Sequence, residues 1–460
     1  MTASPIVTAI IPCRNHARYV PQRLASVLGQ TMPRLEVLFL DDDSTDGSYE
    51  AAAAFAGDPR LTLRRQKPPA GNPFAAWRAG VSLVRSPLTW IAESDDACEP
   101  DFLETLLPAF AADPRLGMAY CQSLAMDDAG SITGSFIDHT RDIDDLRWRA
   151  DFAGPGPEEC RRALVLRNTI PNASACLFRT EALRPALAAA SGYVVCGDWA
   201  AYASLLAAGW NIAFRAAPKN YFRRHSGSQQ ARLAHGGHEL AEMARIQRAL
   251  LAAVGADADT VAAASVMILD RLAGLAESAG AEAASSWFAD GTLLDDLLAF
   301  DPHFLAGLAG SSAGRRFWCE VYAKDGGVFH EGCKVTLAYA PNRPTRLSLT
   351  CPAASLRLDP TRAPGLLRLH EVVLSARDGR TLATYAGKTL GRLRPGGTAV
   401  ALAVDETGLL LWSYGNDPWL VVPAPQGVAG GQMRLDVLLT GYSLTPGSAP
   451  LPGFWPSSGS

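Results

Sequence analysis

The sequence predicts an α/β domain on a mostly parallel sheet, then a helical segment, then a C-terminal antiparallel β-sandwich. Three observations carry this reading. From residue 5 to about 125, short apolar runs alternate with amphipathic stretches, as in right-handed strand–helix–strand crossovers. Two of the runs stop abruptly in clustered acids: Leu35–Leu40 before Asp41-Asp42-Asp43-Ser44-Thr45-Asp46-Gly47, and Trp90-Ile91-Ala92 before Glu93-Ser94-Asp95-Asp96. Beyond about residue 325, short runs separated by Gly, Pro, Asn and Asp recur at even spacing, which is the sign of a sandwich.

The first domain is placed at 1–235. Its predicted strands are Ile6–Pro12, Leu35–Leu40, Leu61–Arg64, Leu88–Ala92 and Leu116–Gln122, each a short buried-type run. Tyr19–Gln30, Gly47–Ala56, Asn72–Arg85 and Pro100–Ala112 are predicted helices. Pro21 and Pro100 fall in first turns, where a missing N–H costs little. A strand at Ser174–Phe178, a helix at Asp198–Ala208 and a strand at Asn211–Phe214 complete this domain. Residues 236–324 are rich in Ala and Leu and read as packing helices. Residues 325–446 supply the sandwich, through Lys334–Tyr339, Thr345–Thr350, Leu366–Leu374, Thr381–Tyr385, Ala399–Val404, Gly408–Ser413 and Met433–Thr440. Residues 447–460 are Pro/Gly/Ser-rich and read as a flexible tail.

Composition narrows the function. A chain of 460 residues exceeds one typical core, and 48% hydrophobic against 19% charged residues excludes a disordered protein. A net charge of −4 gives no basic footprint for nucleic acid. The nine cysteines are scattered without a C-x-x-C pair, so they read as small hydrophobes in a reducing compartment. No basic n-region precedes an apolar stretch and no run is long enough to span a bilayer. These features predict a cytoplasmic protein. Nothing in the sequence specifies an oligomeric state.

The acid clusters carry the chemistry. A parallel sheet brings such strand ends together at its carboxyl edge, where α/β folds bind ligands. Gathered carboxylates repel one another unless a divalent cation or hydrogen-bond donors compensate them. That arrangement suits a metal-bound diphosphate.

The order of motifs adds a resemblance. Val7-Thr8-Ala9-Ile10-Ile11-Pro12 with Arg14-Asn15, Ser26–Thr31, Asp41–Gly47, Phe74–Gly80, Trp90–Asp96, Ile170–Ser174, Gly197-Asp198-Trp199 and Tyr221–Ser228 resemble family 2 glycosyltransferases. These are inverting enzymes with the Rossmann-like GT-A fold. The resemblance implies sugar transfer from a nucleoside-diphosphate donor to a hydroxyl of a glycan or lipid-linked glycan, in bacterial cell-surface polysaccharide synthesis. It also implies a divalent cofactor, Mn2+ or Mg2+, and allows a peripheral contact with the cytoplasmic face of the inner membrane.

Roles are carried over residue by residue. Asp95 is implied as metal ligand, with Glu93 standing where the family more often has Asp and Ser94 between them. Asp42, with Asp41 beside it, occupies the nucleobase-contacting turn, although Ser44, Thr45 and Asp46 also read as an ordinary turn and helix cap. Pro12, Arg14 and Asn15 line base and ribose. Asp198 is the implied general base; read alone it is a helix N-cap, and Gly197 stands where many members have Glu. Arg223 and Arg224 have the charge to bind a diphosphate, and His225 can complete the metal shell. The β-rich segment resembles accessory sandwiches of bacterial polysaccharide glycosyltransferases through Ser355–Pro360 and Gly415-Asn416-Asp417-Pro418. Two rivals stand beside this reading. A nucleotidyltransferase would show a Gly-rich phosphate loop where Ile11–Asn15 lies. A non-catalytic glycan-binding or scaffold protein on a degenerate transferase fold draws support from Glu93 and Gly197.

Overall fold

The computed structural model describes residues 4–225, 237–255, 257–302, 304–309, 317–325, 328–426 and 431–442. The chain divides into two compact units. One runs to residue 233 and includes 246–264; the other comprises 234–245 and the chain from 265.

The first unit is built on a ten-stranded sheet: β1 (Val7–Cys13), β2 (Leu35–Asp41), β3 (Leu61–Arg65), β4 (Leu88–Ile91), β5 (Ala97–Cys98), β6 (Leu116–Met126), β7 (Ile132–Ser135), β8 (Phe152–Pro155), β9 (Cys176–Arg179) and β10 (Asn211–Arg223). Their order is β3-β2-β1-β4-β9-β6-β10-β5, with β7 on β6 and β8 on β10. The pairs β2–β3, β1–β2, β1–β4 and β6–β10 are parallel. Strands β5, β7, β8 and β9 run antiparallel to their neighbours, and the other six share one direction. The mostly parallel sheet expected from the sequence is therefore present. Helices α1 (Val20–Leu28), α2 (Ser48–Ala53), α3 (Pro73–Leu83), α4 (Phe102–Ala112), α5 (Gly156–Glu159), α6 (Thr180–Ala189) and α7 (Gly197–Ala207) connect the strands.

Register sets up the functional edge. Cys13 pairs with Asp41 and Asp41 with Arg65, while Ile10 pairs with Ile91. The acid-bearing ends of β2 and β4 thus flank the end of β1. Beneath them Trp90 is fully buried, stacks on Phe102 at 4.6 Å and donates its indole N–H to the Ser174 carbonyl at 2.9 Å. Each such aromatic contributes about 2–3 kcal/mol by burial.

Strand β10 runs well past the predicted Asn211–Phe214. Register shifts on either side of Pro218 mark bulges that accommodate a residue without an N–H and bend the strand. Its far end pairs with β5, Asn220 with Cys98 and Tyr221 with Ala97. That bend delivers Arg223 and His225 to the turn after β4.

In the second unit, helices occupy Ala258–Ala279 in part, Ala281–Ser286, Thr292–Phe300 and Phe304–Ala309. The β-rich part is one antiparallel sheet: β11 (Phe317–Asp325), β12 (Val328–Tyr339), β13 (Thr345–Pro352), β14 (Leu356–Asp359), β15 (Gly365–Ala376), β16 (Thr381–Ala386), β17 (Arg394–Asp405), β18 (Gly408–Val422) and β19 (Gln432–Tyr442). Its first strand starts inside the stretch read as helical, because Phe317, Cys319, Val321 and Ala323 alternate into the core. Strand β18 pairs with β15 up to Ser413 and with β14 from Leu420. Such partner changes curl the sheet into a sandwich-like shape around Leu358, Leu369, Leu411 and Val437. The tail at 447–460 and the end of the Tyr221–Ser228 motif lie outside the described residues. Cys13, Cys98, Cys121, Cys160, Cys176, Cys196, Cys319 and Cys351 are free thiols, and among the described residues no helix is long and apolar enough to cross a membrane.

Candidate active site

The loops after β1 and β2 are laced together. Asn15 and Asp43 both adopt φ 58°, a left-handed conformation that Asn and Asp tolerate better than most residues. The Asn15 N–H donates to Ser44 Oγ at 3.0 Å, and Asn15 Oδ1 accepts from the Thr45 N–H at 2.9 Å. The His16 N–H donates to Ser48 Oγ and the Ala17 N–H to Asp46, both at 2.9 Å. Pro12 is half-buried, whereas Arg14 and Asn15 are exposed on the rim.

Asp41 and Asp42 have different environments. Asp41 is fully buried and accepts from Arg65 Nε at 3.0 Å. Asp42 accepts the Ala70 N–H at 2.6 Å and faces the Arg14 guanidinium at 3.6 Å.

The turn after β4 is the most crowded part of the edge. Ser94 is buried and its hydroxyl shares a 2.8 Å hydrogen bond with His16 Nδ1. His225 donates from Nε2 to Asp95 Oδ2 at 3.0 Å. Asp96, also buried, accepts from Asn172 Nδ2 at 2.6 Å and from the Arg223 N–H at 2.9 Å. Candidate ligand atoms of His16, Asp95 and His225 lie within 4.8 Å of one another. Asp95 and His225 are the ligands that the sequence suggests; His16 joins them only in the fold. Its only sequence signal was its place directly after the Arg14-Asn15 loop of a strand that neighbours β4.

Charge states follow the crowding. Burial first, then the charges of Asp95, Asp96 and Asp198, drive the Glu93 carboxyl well above its ordinary range. Burial and the neighbouring Asp95 push Asp96 up to about 7. Burial acts on Asp95 in the same direction, yet the His225 hydrogen bond and the charges of His16 and His225 outweigh it and hold Asp95 below the ordinary range. Asp95 is thus the carboxylate kept ionic, flanked by imidazoles, which is the chemistry of a ligand set.

Asp198 stands at the start of α7, half-buried, accepting from Asn168 Nδ2 at 3.1 Å and from the Trp199 N–H at 2.7 Å. The preceding Gly197 has a steric cause. A Cβ there would meet three carbons of the Phe74 ring at 2.5–2.7 Å. The glycine that departs from the family pattern is therefore explained by packing. One short segment links two parts of the edge: Ala70 holds Asp42, Asn72 caps α3 by accepting the Ala75 N–H at 2.8 Å, and Phe74 covers Gly197. Arg224 is exposed, its guanidinium 5.2 Å from the Phe136 ring centroid. The structure therefore gathers Ser94, Asp95, His225 and His16, and sets Asp41, Asp42, Pro12, Arg14 and Asn15 on the adjoining strand ends.

Residues 8–155 match the model of Glycosyl transferase family 2. Over 129 residues the chain is 33% identical to a chondroitin synthase of Pasteurella multocida (strain Pm70), and 33% to a hyaluronan synthase of Pasteurella multocida. In each case the match covers 28% of this chain and 13% of the relative. A crystal structure of S. aureus TarS 1-349 in complex with UDP-GlcNAc superposes with a TM-score of 0.49 at 14% identity, covering 66% of this chain and 84% of that one. The likeness to Glycosyl transferase family 2 thus rests on residues 8–155, within the first unit.

Proposed function

We propose that the chain transfers a sugar from a nucleoside-diphosphate donor to a hydroxyl acceptor with inversion, using a divalent cation held by His16, Asp95 and His225. The observation that carries this reading is the convergence of those three side chains within 4.8 Å at the carboxyl edge of the sheet. Two imidazoles beside one carboxylate favour Mn2+ over Mg2+, which prefers an all-oxygen shell. When bound, the cation supplies Lewis-acid stabilisation of the charge that develops on the departing diphosphate.

The protein's own groups do the rest. Asp42 accepts from the nucleobase, and Pro12, Arg14 and Asn15 flank base and ribose. Glu93 and Ser94 contact the donor sugar, and Arg224 meets diphosphate charge from the rim. Asp198 takes the acceptor hydroxyl proton as that oxygen attacks the anomeric carbon from the face opposite the leaving group. The Asn168 amide orients the Asp198 carboxylate for this transfer. The named activities of the relatives support a glycan acceptor in polysaccharide synthesis.

The test is a thermal-shift panel of nucleoside diphosphates with and without Mn2+. A ligand specific to the folded form raises its stability by RT ln(1 + [L]/Kd), about 2.7 kcal/mol at 100 Kd. The expected result is metal-dependent stabilisation by one base, absent in Asp95→Ala. A folded protein that answers to no nucleotide sinks the proposal in favour of a non-catalytic binding role.

A further inference from the structure

Arg223 belongs to the basic run before His225, yet it is not a surface cation. It is 2% exposed, and its donors are engaged inside the protein. Its Nε donates to the Asp95 carbonyl at 2.7 Å. One terminal nitrogen donates to the carbonyls of Asp127 at 2.7 Å and Asp128 at 3.2 Å. The other donates to Gln22 Oε1 at 2.6 Å. Its main-chain N–H holds Asp96, and its guanidinium lies 4.8 Å from the Tyr19 ring centroid.

These partners come from three segments other than β10, which carries Arg223: the turn after β4, the β6–β7 turn, and α1 with its entry. Each carries or supports a member of the ligand set. Asp95 is held through its own carbonyl, and His225 lies two residues further along the chain. Tyr19 sits 5.9 Å from the His16 ring and 5.2 Å from the His225 ring, and its hydroxyl donates to Asp128. A planar guanidinium with donors in a fixed fork can tie such points together, whereas the lysine ammonium, a point charge on a flexible stem, cannot reach them all. A side chain so engaged has little left for a diphosphate.

We propose that Arg223 is a positioning residue that sets the mutual geometry of His16, Asp95 and His225, and through it the affinity of that set for a divalent cation. This rests on the reading of the three residues as a metal site. Partners that orient ligands without touching the ion typically change metal affinity about 10–100-fold when removed.

The experiment is a Mn2+ titration of the purified full chain followed by electron paramagnetic resonance, with melting temperatures recorded alongside. The wild type is compared with Arg223→Lys, Gln22→Leu, His225→Gln and the Arg223→Lys/His225→Gln double variant. Arg223→Lys is expected to weaken Mn2+ binding about tenfold or more, and Gln22→Leu, which removes one of the anchoring bonds, to weaken it less. The double variant should fall well short of the product of the single losses, because the arginine acts through the ligands. A wild type that binds no Mn2+ overturns the metal site itself and this proposal with it. A wild type that binds, with Arg223→Lys and Gln22→Leu folded and unchanged in affinity, overturns the role of Arg223 and leaves the metal site standing. If Arg223→Lys does not fold, Gln22→Leu decides: a weakened constant supports the role and an unchanged one refutes it.

Discussion

Replacing Gly197 by alanine tests whether packing explains the residue before Asp198. The new Cβ would sit 2.5–2.7 Å from three carbons of Phe74, closer than carbons approach without displacement. The ring has little room to yield. Phe74 is 7% exposed and stands edge-on to Trp77, itself 2% exposed, with centroids 5.1 Å apart. Overpacking of this kind costs about 1–3 kcal/mol, while the better helix propensity of alanine returns at most about 1 kcal/mol. In the middle of these ranges the net loss is about 1–2 kcal/mol, which lowers the melting temperature of a unit this size by roughly 2–8 °C. Differential scanning calorimetry reads the loss directly. Adding Phe74→Leu to Gly197→Ala should recover at least half of it by clearing the ring edge. A Gly197→Ala protein as stable as the wild type, or a double variant no better than the single, would show that Phe74 does not dictate this glycine.

Three further outcomes are expected. Asp198→Asn should lower kcat about 10²–10⁴-fold with donor KM little changed; retention of full turnover in a steady-state assay would exclude Asp198 as the base. Asn172→Leu removes a 2.6 Å donor from buried Asp96 and should cost about 1–3 kcal/mol, so an unchanged urea midpoint would contradict it. In the second unit, burial works against the charge of Glu320, but hydrogen bonds from Arg362, Tyr322 and Lys334 hold it at about 2, below its ordinary 4.5. Because the folded value is depressed, this contribution is full above about pH 4.5 and is lost as pH falls toward 2. Melting curves across that window should flatten in Glu320→Gln, and an identical pH slope in the two proteins would refute the assignment.

Much of the first unit was legible because its central strands are short, fully buried and end in acids. Strands β1, β2 and β4 need only local pattern to be seen. The antiparallel pieces were harder. Strand β5 is two residues long, and β10 passes through Arg215–Lys219, whose polar residues and Pro218 hide a bulged strand. His16 was invisible for another reason. A lone loop histidine has no pattern, and its meeting with Asp95 depends on β1 lying beside β4. Gly197 was read as a departure from a motif, although its cause, the Phe74 ring, lies far away in sequence. In the second unit β14 was too short, and β11 too close to the helical composition before it, to be resolved by eye.

The interlocked loops after β1 and β2 bear on how a ligand is received. Asn15 and Asp43 hold left-handed conformations, and four hydrogen bonds from main-chain N–H groups to side chains stitch the two loops together. Ordering a residue costs about 1–2 kcal/mol of backbone entropy, and here that cost falls on folding rather than on binding. Binding of the proposed donor at this edge would therefore have a rate set by diffusion and orientation instead of loop closure, and a heat-capacity change that reports the donor's own buried surface. Under the proposed function, preference among bases would then reside in individual side chains on a fixed frame, so that single substitutions could alter it without rebuilding a loop.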